Sequence, residues 1–229
     1  MLEKTQYTYL HGLLGTNIDW EVELEKTLEG KGDVFAPPID YFQSPHLVRT
    51  YIKNAVMNAL EESNGQRHIL IANSVGCHFG MDLLDNFESA FFISPTYDFD
   101  RGTVSRSRSS IRSEVRKLFF DKSILEKRAE ILDQETLYIA SRLQQRTSIK
   151  ALMDLKRELM GSDYALAYKA NANKIHVILG VNDPLIPVKR YLDRKNELGV
   201  SIDIIPNCSH VAPVEKPDEL RKILAKYGS

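Results

Sequence analysis

The sequence predicts an α/β fold built on a mostly parallel sheet. Short apolar runs alternate with segments of helical periodicity, which is typical of parallel strands joined by crossover helices. A chain of 229 residues is also long enough for a large core that carries an insertion. The expected strands cover residues 6–10, 33–37, 68–73, 90–94, 174–180 and 201–206.

Helices are expected between most of these strands. Residues 46–62 and 217–228 have the clearest helical spacing of apolar residues, and the second of these segments closes with a glycine. In the first segment, the side chains expected to share one apolar stripe are Leu47, Tyr51, Val56 and Leu60.

The stretch between the fourth and fifth strands contains several helical segments and no convincing strand. We therefore expect residues 1–94 and 173–229 to form the core and residues 95–172 to form an all-helical insertion. Within it, residues 101–170 carry fifteen lysines and arginines and nine aspartates and glutamates, a net charge of about +6. These charges either face an anionic substrate or form a solvated surface balanced by neighbouring glutamates.

The composition excludes several classes of protein. A formal net charge of −1 argues against general affinity for nucleic acid or acidic membranes. No apolar window approaches the length of a bilayer-spanning helix, and residues 1–15 lack the pattern of a secretory signal. Cys77 and Cys208 make a poor disulfide framework for a chain of this length. We expect a soluble cytoplasmic protein with reduced thiols and no nucleic-acid partner.

A serine follows the third expected strand, in the segment IANSVGCHFG at residues 71–80. Ala72, Ser74 and Gly76 give a small-x-Ser-x-small pattern between a strand and a helix, where a tight turn exposes the hydroxyl above the sheet. The amide of Val75 would then lie at the helix N-terminus and donate to a developing oxyanion. The alternative is a serine that only caps the helix, and Ala72 stands where the strict pattern has glycine.

A serine nucleophile needs a histidine base that a carboxylate orients. His210 lies in a polar loop after the last expected strand, and Asp183 lies in an Asn-Asp-Pro turn after the strand before it. Serine, acid and histidine therefore follow successive strands in the order that a nucleophile elbow requires. Asp98 and Asp100, just after the fourth strand, are alternative acids.

The first expected strand ends in the turn His11-Gly12-Leu13-Leu14-Gly15. A glycine turn at this position leaves the backbone amide of Leu13 or Leu14 free to supply a second oxyanion donor.

Taken together, these segments resemble the α/β-hydrolase superfamily, and the resemblance covers the chain from Tyr7 onward apart from the insertion. The segments that carry it are 11–15, 73–76, 180–187 and 210–217. Because the first strand already carries the expected oxyanion turn, we expect the family's two preceding antiparallel strands to be missing. We therefore expect a truncated sheet of about six mostly parallel strands.

The resemblance implies Ser74 as nucleophile, Asp183 as acid and His210 as base, with the helical insertion as a lid over the site. Residues 11–20 are also similar to the opening of small carboxylesterases and of menaquinone-pathway hydrolase-like lyases.

The leading functional interpretation is a serine hydrolase that cleaves an ester, thioester or activated amide of a small molecule, with no metal and no organic cofactor. Two alternatives stay open. One is a lyase that uses the same three residues on an anionic substrate held by arginines of the insertion. The other is a non-catalytic binding protein with a hydrolase fold.

Overall fold

A computed structural model of the chain describes residues 4–13, 24–63, 65–95, 146–161, 164–183 and 186–227. Its centre is a six-stranded sheet in which all neighbouring strands run parallel. The spatial order is β2-β1-β3-β4-β5-β6. The strands are β1 Thr5–Leu10, β2 Asp33–Phe35, β3 Arg67–Asn73, β4 Ser89–Ile93, β5 Ile175–Gly180 and β6 Ser201–Ile205. All six lie within a residue or two of the segments that the sequence predicts.

Helices connect the strands and pack on the sheet. They are α1 Pro45–Glu62, α2 Val75–Met81, α3 Arg146–Gly161, α4 Tyr164–Ala170, α5 Val188–Asp193, α6 Lys195–Leu198, α7 Ala212–Glu215 and α8 Pro217–Tyr227. None of the helices in the described part of the chain is long and apolar enough to cross a membrane.

The sheet is covered on both faces, which explains why its strands are continuous apolar runs rather than alternating ones. On one face, Leu70 and Phe92 pack in a cluster with Ile52 of α1. On the other face, Ile71 packs in a second cluster with Leu220 of α8. Successive residues of a strand point to opposite faces, so β3 and β4 supply side chains to both clusters.

Helix α1 packs on the sheet through a stripe that shares Val56 and Leu60 with the predicted one but not Leu47 and Tyr51. Ser44 caps its N-terminus by accepting a hydrogen bond from the amide of Leu47. The buried side chains are Val48, Ile52, Val56 and Ala59. Leu47 and Tyr51 are 54% and 43% exposed. Apolar residues occur in adjacent pairs along this helix, so two stripes about 100° apart compete, and contact with the sheet selects the second.

Strands β4 and β5 are neighbours in the sheet, although the chain between them includes the whole expected insertion. The described part of that stretch, residues 146–161 and 164–172, is formed largely by helices α3 and α4. The helical segments expected between residues 110 and 145 lie outside the described residues.

Candidate active site

Ser74 occupies a strained turn between β3 and α2. Its backbone has φ 53° and ψ −119°, a conformation that residues other than glycine rarely adopt. Such a residue costs of order 1–3 kcal/mol, so the surrounding structure must hold it. Part of that support is the hydrogen bond from the Ser74 amide to the carbonyl of Ile93 at the end of β4, at 2.9 Å. Ser74 makes no side-chain cap bond to α2, so simple helix capping does not explain this serine.

Two glycines allow the serine turn to pack against the end of β1. A Cβ added to Gly76 would lie 2.3 Å from the carbonyl oxygen of Leu10 and 2.7 Å from that of His11. A Cβ added to Gly12 would lie 3.1 Å from the Cβ of Ser74. The glycine turn after β1 and the serine turn after β3 are therefore in direct contact.

The structure describes two of the three residues that are expected to supply oxyanion donors. Val75 is buried and begins α2 immediately after Ser74. Leu13 follows Gly12 and packs against the apolar cluster on the α1 face of the sheet. Leu14 lies outside the described residues.

Asp183 and His210 are joined by a direct hydrogen bond. His210 Nδ1 lies 2.8 Å from Asp183 Oδ2. The other carboxylate oxygen, Oδ1, accepts a hydrogen bond from the backbone amide of Ile186 at 2.9 Å. The side chain of Asp183 is completely buried, whereas that of His210 is 14% exposed. The acid is thus enclosed while the imidazole reaches the surface.

The loops that carry these two residues touch through their backbones. The amide of Asn182 donates to the carbonyl of Cys208 at 2.8 Å. A Cβ added to Gly180 would lie 2.1 Å from the carbonyl oxygen of Ser209, so only glycine fits there. Ser74, Asp183 and His210 follow β3, β5 and β6, and parallel strands bring their carboxyl ends to one edge of the sheet. The alternative acids Asp98 and Asp100 lie outside the described residues.

His11 links the glycine turn to the backbone at Ile39 through hydrogen bonds of its imidazole ring. Its Nε2 accepts from the amide of Ile39 at 3.2 Å, so Nδ1 carries the proton and donates to the carbonyl of Gly12 at 2.8 Å. Tyr41 donates from its hydroxyl to the carbonyl of His11. Burial lowers the pKa of His11 to about 4, which keeps this imidazole neutral. From the sequence, His11 is expected either to pack or to be solvated, and the structure adds these bonds.

The two cysteines are unpaired and buried. Burial raises the pKa of Cys208 to about 12 and that of Cys77 well above its usual range. Neither thiol is therefore ionised at neutral pH, so neither is a candidate nucleophile. Among the described residues, no cluster of three or more His, Cys, Asp or Glu side chains is placed to hold a metal ion.

A second polar cluster lies where α1, α2 and α3 meet, and the sequence gives no sign of it. Arg49 of α1 forms ion pairs with Glu158 of α3 and with Asp82 just after α2, the latter at 2.6 Å. His78 Nε2 lies 2.7 Å from Glu158 Oε1. The Arg49 guanidinium also lies 5.4 Å from the centre of the Phe79 ring. We call Arg49, His78, Asp82 and Glu158 the Arg49 cluster.

Comparison with known proteins supports the fold. No family model matches the sequence, and no curated protein matches it. Solved structures do match. One is an enzyme that degrades N-acyl homoserine lactones, with a TM-score of 0.74 and 13% identity over 98% of this chain and 93% of that one. Another is an α/β hydrolase from a Medee basin deep-sea metagenome library, with a TM-score of 0.70 and 11% identity over 100% and 91%.

A third similar structure is the meta-cleavage product hydrolase of Pseudomonas fluorescens IP01, with a TM-score of 0.68 and 16% identity over 99% of this chain and 91% of that one. The chain has the α/β-hydrolase fold, as the sequence resemblance implies. The described strands form a six-stranded parallel sheet, in agreement with the sheet of about six mostly parallel strands that the sequence predicts.

Proposed function

We propose that the protein is a serine hydrolase that cleaves an ester, thioester or activated amide of a small molecule. The observation that carries this proposal is the Asp183–His210 hydrogen bond at the same sheet edge as the strained turn of Ser74. A buried acid that holds a partly exposed imidazole supports the role of general base. The hydrolase names of several similar structures are consistent with it.

The proposed reaction proceeds through an acyl-enzyme. Ser74 Oγ attacks the substrate carbonyl carbon while His210 Nε2 takes the hydroxyl proton. The tetrahedral intermediate collapses, and the leaving alcohol, thiol or amine departs with that proton. Water then attacks the acyl group, gives a proton to His210 and releases the acid, and the proton returns to Ser74. Asp183 keeps the proton of the resting imidazole on Nδ1 and stabilises the imidazolium.

Backbone amides are the proposed oxyanion donors. The N–H of Val75 at the start of α2 and the N–H of Leu13 or Leu14 after Gly12 would donate to the negative oxygen of the tetrahedral intermediate. The contact between Gly12 and Ser74 supports this role because it brings the two turns together.

A fluorophosphonate probe tests the nucleophile. We expect labelling of the purified protein at Ser74 and complete loss of labelling in Ser74→Ala, because this is the hydroxyl that we propose to be paired with a base and an oxyanion site. Ser94→Ala is the matched control and should keep the labelling, since Ser94 also follows a strand, is buried and has a positive φ of 46°. Labelling that persists in Ser74→Ala would overturn the assignment.

A panel of acyl esters, thioesters and activated amides tests the reaction. We expect turnover of at least one class by the wild-type protein and none by Ser74→Ala. A protein that is labelled at Ser74 but cleaves nothing in the panel would instead favour elimination by the same residues. A protein that is neither labelled nor active would be a binding protein with this fold.

We further propose that the insertion acts as a lid and that its positive charge favours anionic substrates. The described part of the insertion offers limited support, because Lys150 and Arg157 both pair with Asp154 on α3. If the charges steer substrate, kcat/KM for an anionic ester should exceed that of a matched neutral ester at low salt. The difference should fade as the screening length falls to about 8 Å at physiological ionic strength. Identical salt profiles would show that the charges form only a solvated surface.

A further inference from the structure

The short helix α7 follows His210 and includes Glu215. The carboxylate of Glu215 contacts the loop that carries the histidine. The amide of Ser209 donates to Glu215 Oε2 at 2.8 Å, and the Ser209 hydroxyl donates to Glu215 Oε1. Ser209 directly precedes His210 in the chain. One carboxylate therefore binds both donors of the residue beside the candidate base.

Two further contacts restrain the other side of this loop. The Cys208 carbonyl accepts from Asn182, and the Ser209 carbonyl lies against Gly180. Both contacts come from the acid loop. The backbone N–H of Ser209 donates instead to Glu215. Asn207, at the start of the loop, has a left-handed φ of 51°, so the chain leaves β6 through a turn that does not continue the strand.

We propose that Glu215 is a positioning residue for His210. This inference rests on the proposed function of Ser74, Asp183 and His210. By holding Ser209 between α7 and the acid loop, Glu215 fixes the backbone from which the imidazole projects and keeps Nδ1 on Asp183. Hydrogen bonds to a carboxylate are shorter and stronger than neutral ones, which suits a restraint on an irregular loop. Glu215 acts through Ser209 and takes no part in the proton transfer.

Loss of this restraint should lower turnover more than it weakens substrate binding. A shift of the catalytic group by about 1 Å can cost about 100-fold in rate. We expect Glu215→Ala to lower kcat by roughly 10- to 100-fold, with KM nearly unchanged. Glu215→Gln should recover most of that loss, because its amide oxygen can accept from the Ser209 N–H and its NH₂ group can donate to the hydroxyl.

Glu219→Gln is the matched control. Glu219 is an exposed carboxylate on α8 that pairs with Lys222, and its substitution should leave kcat unchanged. Glu215→Asp adds a second test, since it keeps the charge but shortens the reach. The proposal would be overturned if Glu215→Asp and Glu215→Ala both had the kcat of the wild type. It would also be overturned if these variants lost thermal stability but kept the wild-type kcat while folded.

A measurement without substrate separates this inference from the proposed function. The proton shared by His210 Nδ1 and Asp183 should give a low-field NMR resonance in the wild type and in Glu215→Gln, broadened or absent in folded Glu215→Ala. Persistence of that resonance in Glu215→Ala would overturn the positioning role. Absence of fluorophosphonate labelling in the wild type would contradict the proposed function and leave the resonance as the test of Glu215.

Discussion

The described residues include two hydrogen-bonded pairs of a histidine and a carboxylate, and the distances within the two pairs are almost equal. His210 Nδ1 lies 2.8 Å from Asp183 Oδ2, and His78 Nε2 lies 2.7 Å from Glu158 Oε1. The two pairs differ in which member is the more buried. In the first pair the carboxylate is completely buried and the imidazole is 14% exposed. In the second pair the imidazole is 4% exposed and the carboxylate 30%.

This reversal separates a candidate catalytic pair from a structural one. A base must reach substrate, and a buried acid behind it fixes its tautomer in a low-dielectric site. In the Arg49 cluster the imidazole is the enclosed member. Its Nδ1 is buried and has no hydrogen-bond partner among the described residues. A short bond between histidine and carboxylate is therefore insufficient evidence for catalysis.

The charge around the two pairs also differs. Burial by itself would raise the pKa of Glu158, but hydrogen bonds from Arg49 and His78 lower it overall. Burial lowers the pKa of His78 against the opposing influence of Glu158. At neutral pH the cluster thus holds an ionised carboxylate, a cation and a neutral imidazole, and it fastens α3 to α1 and α2.

The largest expected effect separates the two histidines. His210→Gln should lower kcat by about four to six orders of magnitude, because the hydroxyl loses its base. His78→Gln should leave kcat within about tenfold of the wild type and instead lower the melting temperature, since it removes a buried hydrogen bond. Steady-state kinetics and thermal unfolding of both variants make the test. Equal losses of turnover in the two variants at unchanged stability would contradict the distinction between a catalytic His210 and a structural His78.

The next largest effect on turnover is expected from substitution of the two carboxylates, Asp183 and Glu158. Asp183→Asn should cost about 10⁴ in turnover, because the amide favours the wrong imidazole tautomer. Glu158→Gln should leave turnover nearly unchanged. The same assay on Asp98→Asn tests the alternative acid, and a greater loss in that variant would move the acid from Asp183 to Asp98.

A smaller effect is expected on stability from the Arg49 cluster. Arg49→Met should lower the free energy of unfolding by about 1–2 kcal/mol, a value reduced for solvent screening because Arg49, Asp82 and Glu158 are all partly exposed. The control is Lys222→Met, whose surface pair with Glu219 should be worth less than about 0.5 kcal/mol. Urea unfolding measures both, and equal changes would show that the cluster adds nothing to α3 docking.

The smallest expected effect is on the pH dependence of stability. The folded-state pKa of His78 lies below that of an unfolded histidine, so the unfolded chain binds the proton first as pH falls below about 6.5. Its contribution to stability is present above that pH and is lost on acidification, and that of Glu158 follows below about 4.5. The drop in the urea midpoint from pH 7.5 to 5.5 should therefore be smaller in His78→Gln. An equal drop in both proteins would contradict this account.

The sequence predicts the sheet well because buried parallel strands are unbroken apolar runs with turn residues at their ends. It also indicates Ser74, Asp183 and His210, since each follows such a run, and the structure joins the last two. Leu47 and Tyr51 of α1 are predicted wrongly as core residues, because each has an apolar neighbour and only the contact with the sheet decides which of the two is buried. The bond between His78 and Glu158 joins residues 80 positions apart, and no local pattern encodes it.

The positions of Ser74 and His210 along the chain bear on synthesis at the ribosome. Translation proceeds at roughly 5–20 residues per second and early segments fold first. Strands β1 and β3 with their turns therefore emerge while more than half of the chain's length still separates Ser74 from His210, its proposed base. Asp183 and His210, by contrast, belong to one strand-helix-strand unit at β5 and β6 and emerge almost together. Under the proposed function, a nascent chain would therefore carry an inert Ser74 until that unit joins the sheet, and the appearance of hydrolase activity in a translation reaction would time that event.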